Sequence, residues 1–165
     1  MDNILKVKNK KDYFFLALSL IIILGLPFII SMLIRGGINE YSDLIKPSFA
    51  PPAILFPIVW TILYILMAIS FYRVLLLEKS GEDVTKELII FIVQFVFNLI
   101  WPILFFYFNF RFLAFIELFI LVILIFITIK FFYKKDKIAG ILLIPYLLWC
   151  IFALILNYSV YFLNK

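Results

Sequence analysis

Three stretches of the chain carry tryptophan with other aromatic residues at helical spacing, and two of them add side-chain amides, a combination suited to binding flat apolar molecules. Gln94, Asn98, Trp101 and Phe105 follow one another at intervals of four, three and four, which puts them on one helix face. Tyr146, Trp149, Ala153 and Asn157 do the same at three, four and four, and Phe56, Trp60, Tyr64 and Phe71 stripe a third segment. Trp and Tyr rings offer faces for stacking, and Asn98 and Asn157 could orient polar substituents. If the three faces converge, they enclose an aromatic-walled cavity with a few hydrogen-bonding groups, the usual make-up of a small-molecule pocket. A second chemistry is open to the same residues. Amides serve as glue between membrane helices, and Trp and Tyr gather at the membrane interface. Gln94 and Asn157 fit glue and ligand contact equally, and Trp101, near the end of its segment, fits an interfacial position as well.

Other chemistries are excluded by residue type. The chain has no histidine, so it lacks the commonest metal ligand, the commonest neutral-pH base and the usual proximal haem ligand. No metal site is expected. The single cysteine, Cys150, lies in an apolar run and reads as a small core residue. Glu117 is the one carboxylate inside a hydrophobic run. Two turns from the Phe112 end, it is placed to reach the interface; in a proton-coupled exporter such a residue would be central. The net charge of +5 is dispersed between apolar runs, not clustered as a nucleic-acid footprint requires.

The elements that must position these residues are membrane helices. Of 165 residues, 67% are hydrophobic, far above the 45–50% or so of soluble domains. Apolar runs predict one all-α domain of five transmembrane helices, at about 13–34, 53–77, 84–107, 112–132 and 138–163. A run of ~22 residues rises ~33 Å as a helix, enough to span hydrocarbon. Gly36 and Gly37 should end the first helix, and Ile34-Arg35-Gly36-Gly37 offers no signal-peptide cleavage site. A polar loop from Arg35 to about Ala53 follows. Pro51 and Pro52 suit the first turn of the second helix, and Pro57, Pro102 and Pro145 should kink their helices or free carbonyls. There is no internal repeat.

Lysines and arginines set the orientation. Lys6, Lys8, Lys10, Lys11, Arg73, Lys79, Lys86, Lys130, Lys134, Lys135 and Lys137 make eleven on one side; Arg35, Lys46, Arg111 and Lys165 make four on the other. The positive-inside rule then puts the N-terminus in the cytoplasm and the Arg35–Ala53 loop outside.

The segment from Tyr41 through Lys46-Pro47-Ser48-Phe49-Ala50-Pro51-Pro52 resembles the first-loop signature of the TspO/MBR family, the tryptophan-rich sensory proteins and translocator proteins. The likeness continues through Phe56, Val59-Trp60, Leu63-Tyr64 and Met67, then Gln94, Asn98, Trp101 and Phe105-Phe106. It closes with Pro145-Tyr146, Trp149, Ala153 and Leu156-Asn157. The resemblance implies a five-helix bundle, often a homodimer, that binds porphyrins and other hydrophobic ligands, sterols among them, with the first loop as a lid. Its binding residues would fall on Trp60, Asn98, Trp101, Trp149 and Ala153, with Pro47 and Pro51 shaping the lid. Glu40 and Ile54 stand where members often carry Trp, and the third helix lacks the small residues by which family dimers pack closely. Leu156, Tyr161 and Lys165 fit a proposed cholesterol pattern.

The expectation from residues and resemblance together is a receptor or sensor in a bacterial plasma membrane, holding a tetrapyrrole such as protoporphyrin IX between its helices. Trp60, Tyr64, Asn98, Trp101, Tyr146, Trp149, Ala153 and Asn157 would contact the ligand, beneath a lid with Tyr41, Pro47, Pro51 and Pro52. No cofactor is required for binding. Two rivals are a light- and oxygen-dependent porphyrin-degrading enzyme, with Trp149 as its redox-active residue, and a small transporter that uses Glu117.

Overall fold

The structure, a computed structural model, describes residues 4–8 and 10–165, with the side chains of residues 38–40 outside the described set. Glu40, at one of the positions where relatives often carry Trp, is therefore outside the described side chains. The chain folds as α1 (Tyr13–Leu33), α2 (Arg35–Asp43), α3 (Leu55–Lys79), α4 (Thr85–Pro102), a π-helical segment (Ile103–Tyr107), α5 (Arg111–Lys135), α6 (Lys137–Leu142) and α7 (Ile144–Leu163). Among the described residues, five stretches are long and apolar enough to cross a membrane: α1, α3, α4 with the π segment, α5, and α6 with α7. The most apolar faces turn outward, as lipid-facing helices require: Phe14, Ile21, Leu148 and Phe162 are largely exposed.

α1 packs on α3, α3 on α6, α6 and α7 on α5, and α5 on α4, which closes the ring with lighter contacts to α1 and α3. Within the ring lie Met67, Ala68, Ile125 and Cys150, all wholly buried, so Cys150 is the core residue its apolar surroundings predicted.

The structure departs from the sequence expectations at Gly36 and Gly37, at Pro51 and Pro52 and at Pro57, and it gives the form of the breaks expected at Pro102 and Pro145. Gly36 and Gly37 do not end α1; they lie inside α2, which follows after Ile34 alone. Glycine within a helix costs about 1 kcal/mol, but a Cβ at Gly37 would sit 1.7 Å from the Phe106 carbonyl oxygen. Only glycine lets α2 lie against the π segment. The expected loop is thereby half helix.

Pro51 and Pro52 precede α3 and are not its first turn. The Pro52 carbonyl accepts from the Leu55 N–H at 2.9 Å, a single turn that leads into the helix. Consecutive prolines disfavour helical geometry in the residue before each, which delays the start. Pro57 then falls in the opening turn of α3, where its missing N–H is not needed.

Pro102 cannot donate to the Asn98 carbonyl, and beyond it the ladder re-forms at wider spacing. Phe108 N–H bonds to the Ile103 carbonyl at 3.0 Å and Phe110 N–H to Leu104 at 2.9 Å. The fifth span is likewise broken, at Leu143, because Pro145 offers no donor to the Ile141 carbonyl.

At the end where α1 begins, a polar latch holds the N-terminal segment. Arg73, which is buried, and Asp136, whose side chain is 9% exposed, pair through Nε–Oδ1 at 3.1 Å and Nη2–Oδ2 at 2.7 Å. Arg73 also donates to the Ile4 and Lys6 carbonyls. Asp136 Oδ1 caps α6 through the Ala139 N–H at 2.8 Å. Tyr72 accepts from the Asp12 N–H and donates to the Leu5 carbonyl, each at 3.1 Å. Lys79 bonds the Asp12 carboxylate; that bond, aided by the Phe15 and Phe14 N–H groups, holds the carboxyl below its ordinary range. Arg73 had been counted only as an orientation charge; it is the centre of this latch.

Cutting one partner from a buried, doubly bonded pair costs about 3–5 kcal/mol, because the other charge is stranded. Arg73→Gln should therefore lower the unfolding midpoint in mild detergent markedly, and Arg73→Gln with Asp136→Leu should lose less than the sum of the single changes. An unchanged midpoint in Arg73→Gln would show that the latch holds nothing.

Candidate functional site

The three predicted faces converge. Tyr64 on α3 donates to Asn98 Oδ1 on α4 at 3.0 Å. Tyr146 on α7 donates to Gln94 Oε1 on α4 at 3.2 Å. Trp101 Nε1 donates to Asn157 Oδ1 on α7 at 3.1 Å, and Asn157 Nδ2 donates to the Arg111 carbonyl at the start of α5 at 2.9 Å. Gln94, Asn98, Tyr146 and Asn157 are all buried. Four helices are thus cross-linked by three aromatic–amide pairs and one amide–carbonyl bond. In the structure Gln94 and Asn157 act as glue.

The rings pack around these pairs. Trp60 stacks on Tyr64 with centroids 5.4 Å apart and meets Tyr146 edge-on at 6.3 Å. Trp149 lies between Phe56, at 6.0 Å, and Phe152, at 5.3 Å. Trp101 stacks on Phe105 at 5.3 Å. Phe71 leaves this group and stacks on Phe91 at 4.5 Å, nearer the latch end. Between α3 and α7 a groove of about 420 Å³ remains open, lined by Val59, Ile62 and Leu63 on one side and Pro145, Leu148, Trp149 and Phe152 on the other. Ala153, buried one turn from Trp149, keeps this part of α7 slim.

Two buried polar atoms within the aromatic cluster lack a hydrogen-bond partner: Trp149 Nε1 and Gln94 Nε2. An unmet donor inside apolar surroundings costs about 1–3 kcal/mol, and Trp149 also lines the open groove. Glu117 does not reach the interface. It is 7% exposed, with both carboxylate oxygens buried and unpartnered. It lies on α5, which packs against both α4 and α7.

The first segment covers the same end of the bundle. Tyr41, half-buried on α2, packs against Phe56, Phe105 and Phe106 with centroids 5.9–6.4 Å apart. Burial raises its hydroxyl above the ordinary range. Phe49 meets Phe152 at 6.3 Å. The Asn164 side chain grips Ile45 at both backbone positions, accepting from its N–H at 2.9 Å and donating to its carbonyl at 2.8 Å. Pro47 and Pro51 are half-buried and Pro52 is exposed; the Pro47 carbonyl accepts from the Ala50 N–H at 3.0 Å and closes a turn. The spacing argument found the aromatic and amide residues, but missed Asn164 and Gly37, which a single sequence marks only as a polar residue near a helix end and a helix breaker.

Interhelical hydrogen bonds in membranes average about 0.6 kcal/mol each. Asn157→Leu removes two, so it should destabilise the protein by roughly 1 kcal/mol and shift the Trp101 emission as its N–H loses its acceptor. A Trp emission spectrum identical to the wild type would refute the pairing.

The TspO/MBR family model matches residues 17–163. The chain is 33% identical over 150 residues to the tryptophan-rich protein TspO of Archaeoglobus fulgidus, covering 90% of this chain and 96% of that protein. It is 35% identical over 124 residues to the tryptophan-rich sensory protein of Cereibacter sphaeroides, covering 75% and 76%. With the translocator protein of Homo sapiens it shares 30% identity over 138 residues, covering 81% and 80%. With five apolar spans and this match along nearly its whole length, the chain is an integral membrane protein of the TspO/MBR family.

Proposed function

We propose that the protein is a membrane receptor for a flat hydrophobic ligand of the tetrapyrrole class, bound against Trp149 in the groove between α3 and α7. The observation that carries this reading is the groove itself: about 420 Å³, apolar, and bordered by the Trp149 indole. A planar ring would bury apolar surface there and lie against the aromatic wall. Trp60, Tyr64, Asn98, Trp101, Tyr146, Ala153 and Asn157 would form the wall behind it. The segment of Tyr41, Pro47, Pro51 and Pro52, held by Asn164, would serve as the lid. Relatives bearing the names sensory protein and translocator protein support a sensing or translocating role at the membrane. The lysine distribution supports a cytoplasmic N-terminus, in a bacterial plasma membrane.

The test is a titration with metal-free protoporphyrin IX in nanodiscs, read from porphyrin absorbance so that tryptophan changes do not confuse it. The expected outcome is saturable binding, weakened about tenfold by Trp149→Phe, equivalent to ~1.4 kcal/mol. Lys135→Ala, at the opposite end, should bind as the wild type does. Non-saturating uptake, equal in all three proteins, would mean simple partition into lipid and would end this reading.

The second reading is transport, favoured by Glu117. A buried, unpartnered carboxyl at membrane depth is rare and marks ion or substrate paths in transporters. It requires porphyrin flux into proteoliposomes that Glu117→Gln abolishes while equilibrium binding persists; flux unaffected by the substitution would remove Glu117 from the path.

A further inference from the structure

A second groove, of about 380 Å³, opens at the first-segment end of the bundle, between residues 109–113 at the start of α5 and Tyr161 and Asn164 near the end of α7. Arg111, partly exposed, lines it and is the charged residue of its wall. Arg111 donates through Nη2 to Asn109 Oδ1 at 3.0 Å, and its Nε, turned away into the protein, has no partner. Among the described residues no carboxylate pairs with it. Asn109, with φ of +57°, makes the left-handed turn that brings this arginine onto the groove. Lys165 adds a second cation, 5.6 Å above the Tyr161 ring.

Arg111 also occupies the first position of a 25-residue helix with no side-chain cap. A cation there faces the positive end of the helix dipole and is disfavoured; an anion on the guanidinium would answer both. The flanks are of another character. Phe112 and Leu113 are half-exposed, and Phe162 more so, on the lipid-facing surface beside the groove. A cationic, hydrogen-bonding wall with apolar flanks at a membrane surface matches one class of molecule, a lipid with an anionic phosphate head.

We propose that this groove seats the phosphate of an anionic phospholipid on Arg111, with the acyl chains along Phe112 and Leu113. The seat touches both polar connections that organise this end of the molecule. The Arg111 carbonyl accepts from Asn157, which accepts from Trp101. Asn164, on the opposite wall, grips Ile45 of the first segment. A bound lipid therefore braces the first segment and the Trp101 pair together. The proposal stands apart from the tetrapyrrole reading and is tested without porphyrin.

The experiment is native mass spectrometry of delipidated protein re-exposed to phosphatidylglycerol or phosphatidylcholine, for wild type, Arg111→Gln, Arg111→Lys and Lys135→Ala. The wild type and Lys135→Ala should each retain one tightly held phosphatidylglycerol in preference to phosphatidylcholine. Arg111→Gln should lose that lipid at least tenfold more readily. Arg111→Lys, which keeps charge but not the planar fork, should fall between them and carries the test if Arg111→Gln fails to fold by circular dichroism. Equal retention of the two lipids by the wild type, or of phosphatidylglycerol by wild type and Arg111→Gln, would overturn the proposal. Displacement of the lipid by millimolar inorganic phosphate would also overturn it, by making the site one for free anions.

Discussion

Hydrocarbon offers a polar side chain no solvent to bond with, and this bundle is arranged around that constraint. Tyr64, Trp101 and Tyr146 each carry one donor into the interior, and each donor ends on the amide oxygen of another helix. The pairs fix the rotation of α3, α4 and α7 about their axes more tightly than apolar packing alone would, because turning a helix by one residue breaks its bond and leaves a donor stranded. The aromatic faces follow from that rotation. Trp60 can lie flat on Tyr64 only while Tyr64 is held by Asn98. The groove beside Trp149 is what remains between α3 and α7 once their polar residues are committed elsewhere.

The five spans were plain in the sequence because membrane helices need long apolar runs, and the site faces were plain because helical spacing is strict. Tyr64, Asn98, Trp101, Tyr146, Trp149 and Asn157 were found by counting threes and fours, and the structure brings all six to one interior. The arithmetic could not tell pair from pocket: Gln94 and Asn157 looked equally fit to grip a ligand or a neighbouring helix. That choice depends on which helix faces which, a non-local fact.

What the sequence concealed was backbone geometry set by distant contacts. Gly36 and Gly37 have the local signature of a helix end, but the Phe106 carbonyl, nearly seventy positions on, makes Gly37 a packing residue. Arg73 counted as a surface charge by hydropathy, yet Asp136 makes it interior. Pro102 announced a disturbance without stating its form. The chain could have kinked; it widened into π geometry instead, which turns Phe105 and Phe106 toward Tyr41. The same local cue, a proline in an apolar run, broke the last span outright at Leu143.

The grip of Asn164 on Ile45 has a consequence for how the molecule is made. The two residues are 119 positions apart, so the ribosome finishes Ile45 and four further membrane crossings before its partner exists. Throughout that interval the first segment has α2 and its own turns but no fastening to α7. Closure of this end thus waits for α7, and the aromatic interior stays open to lipid, or to a ligand dissolved in it, until that helix is in place.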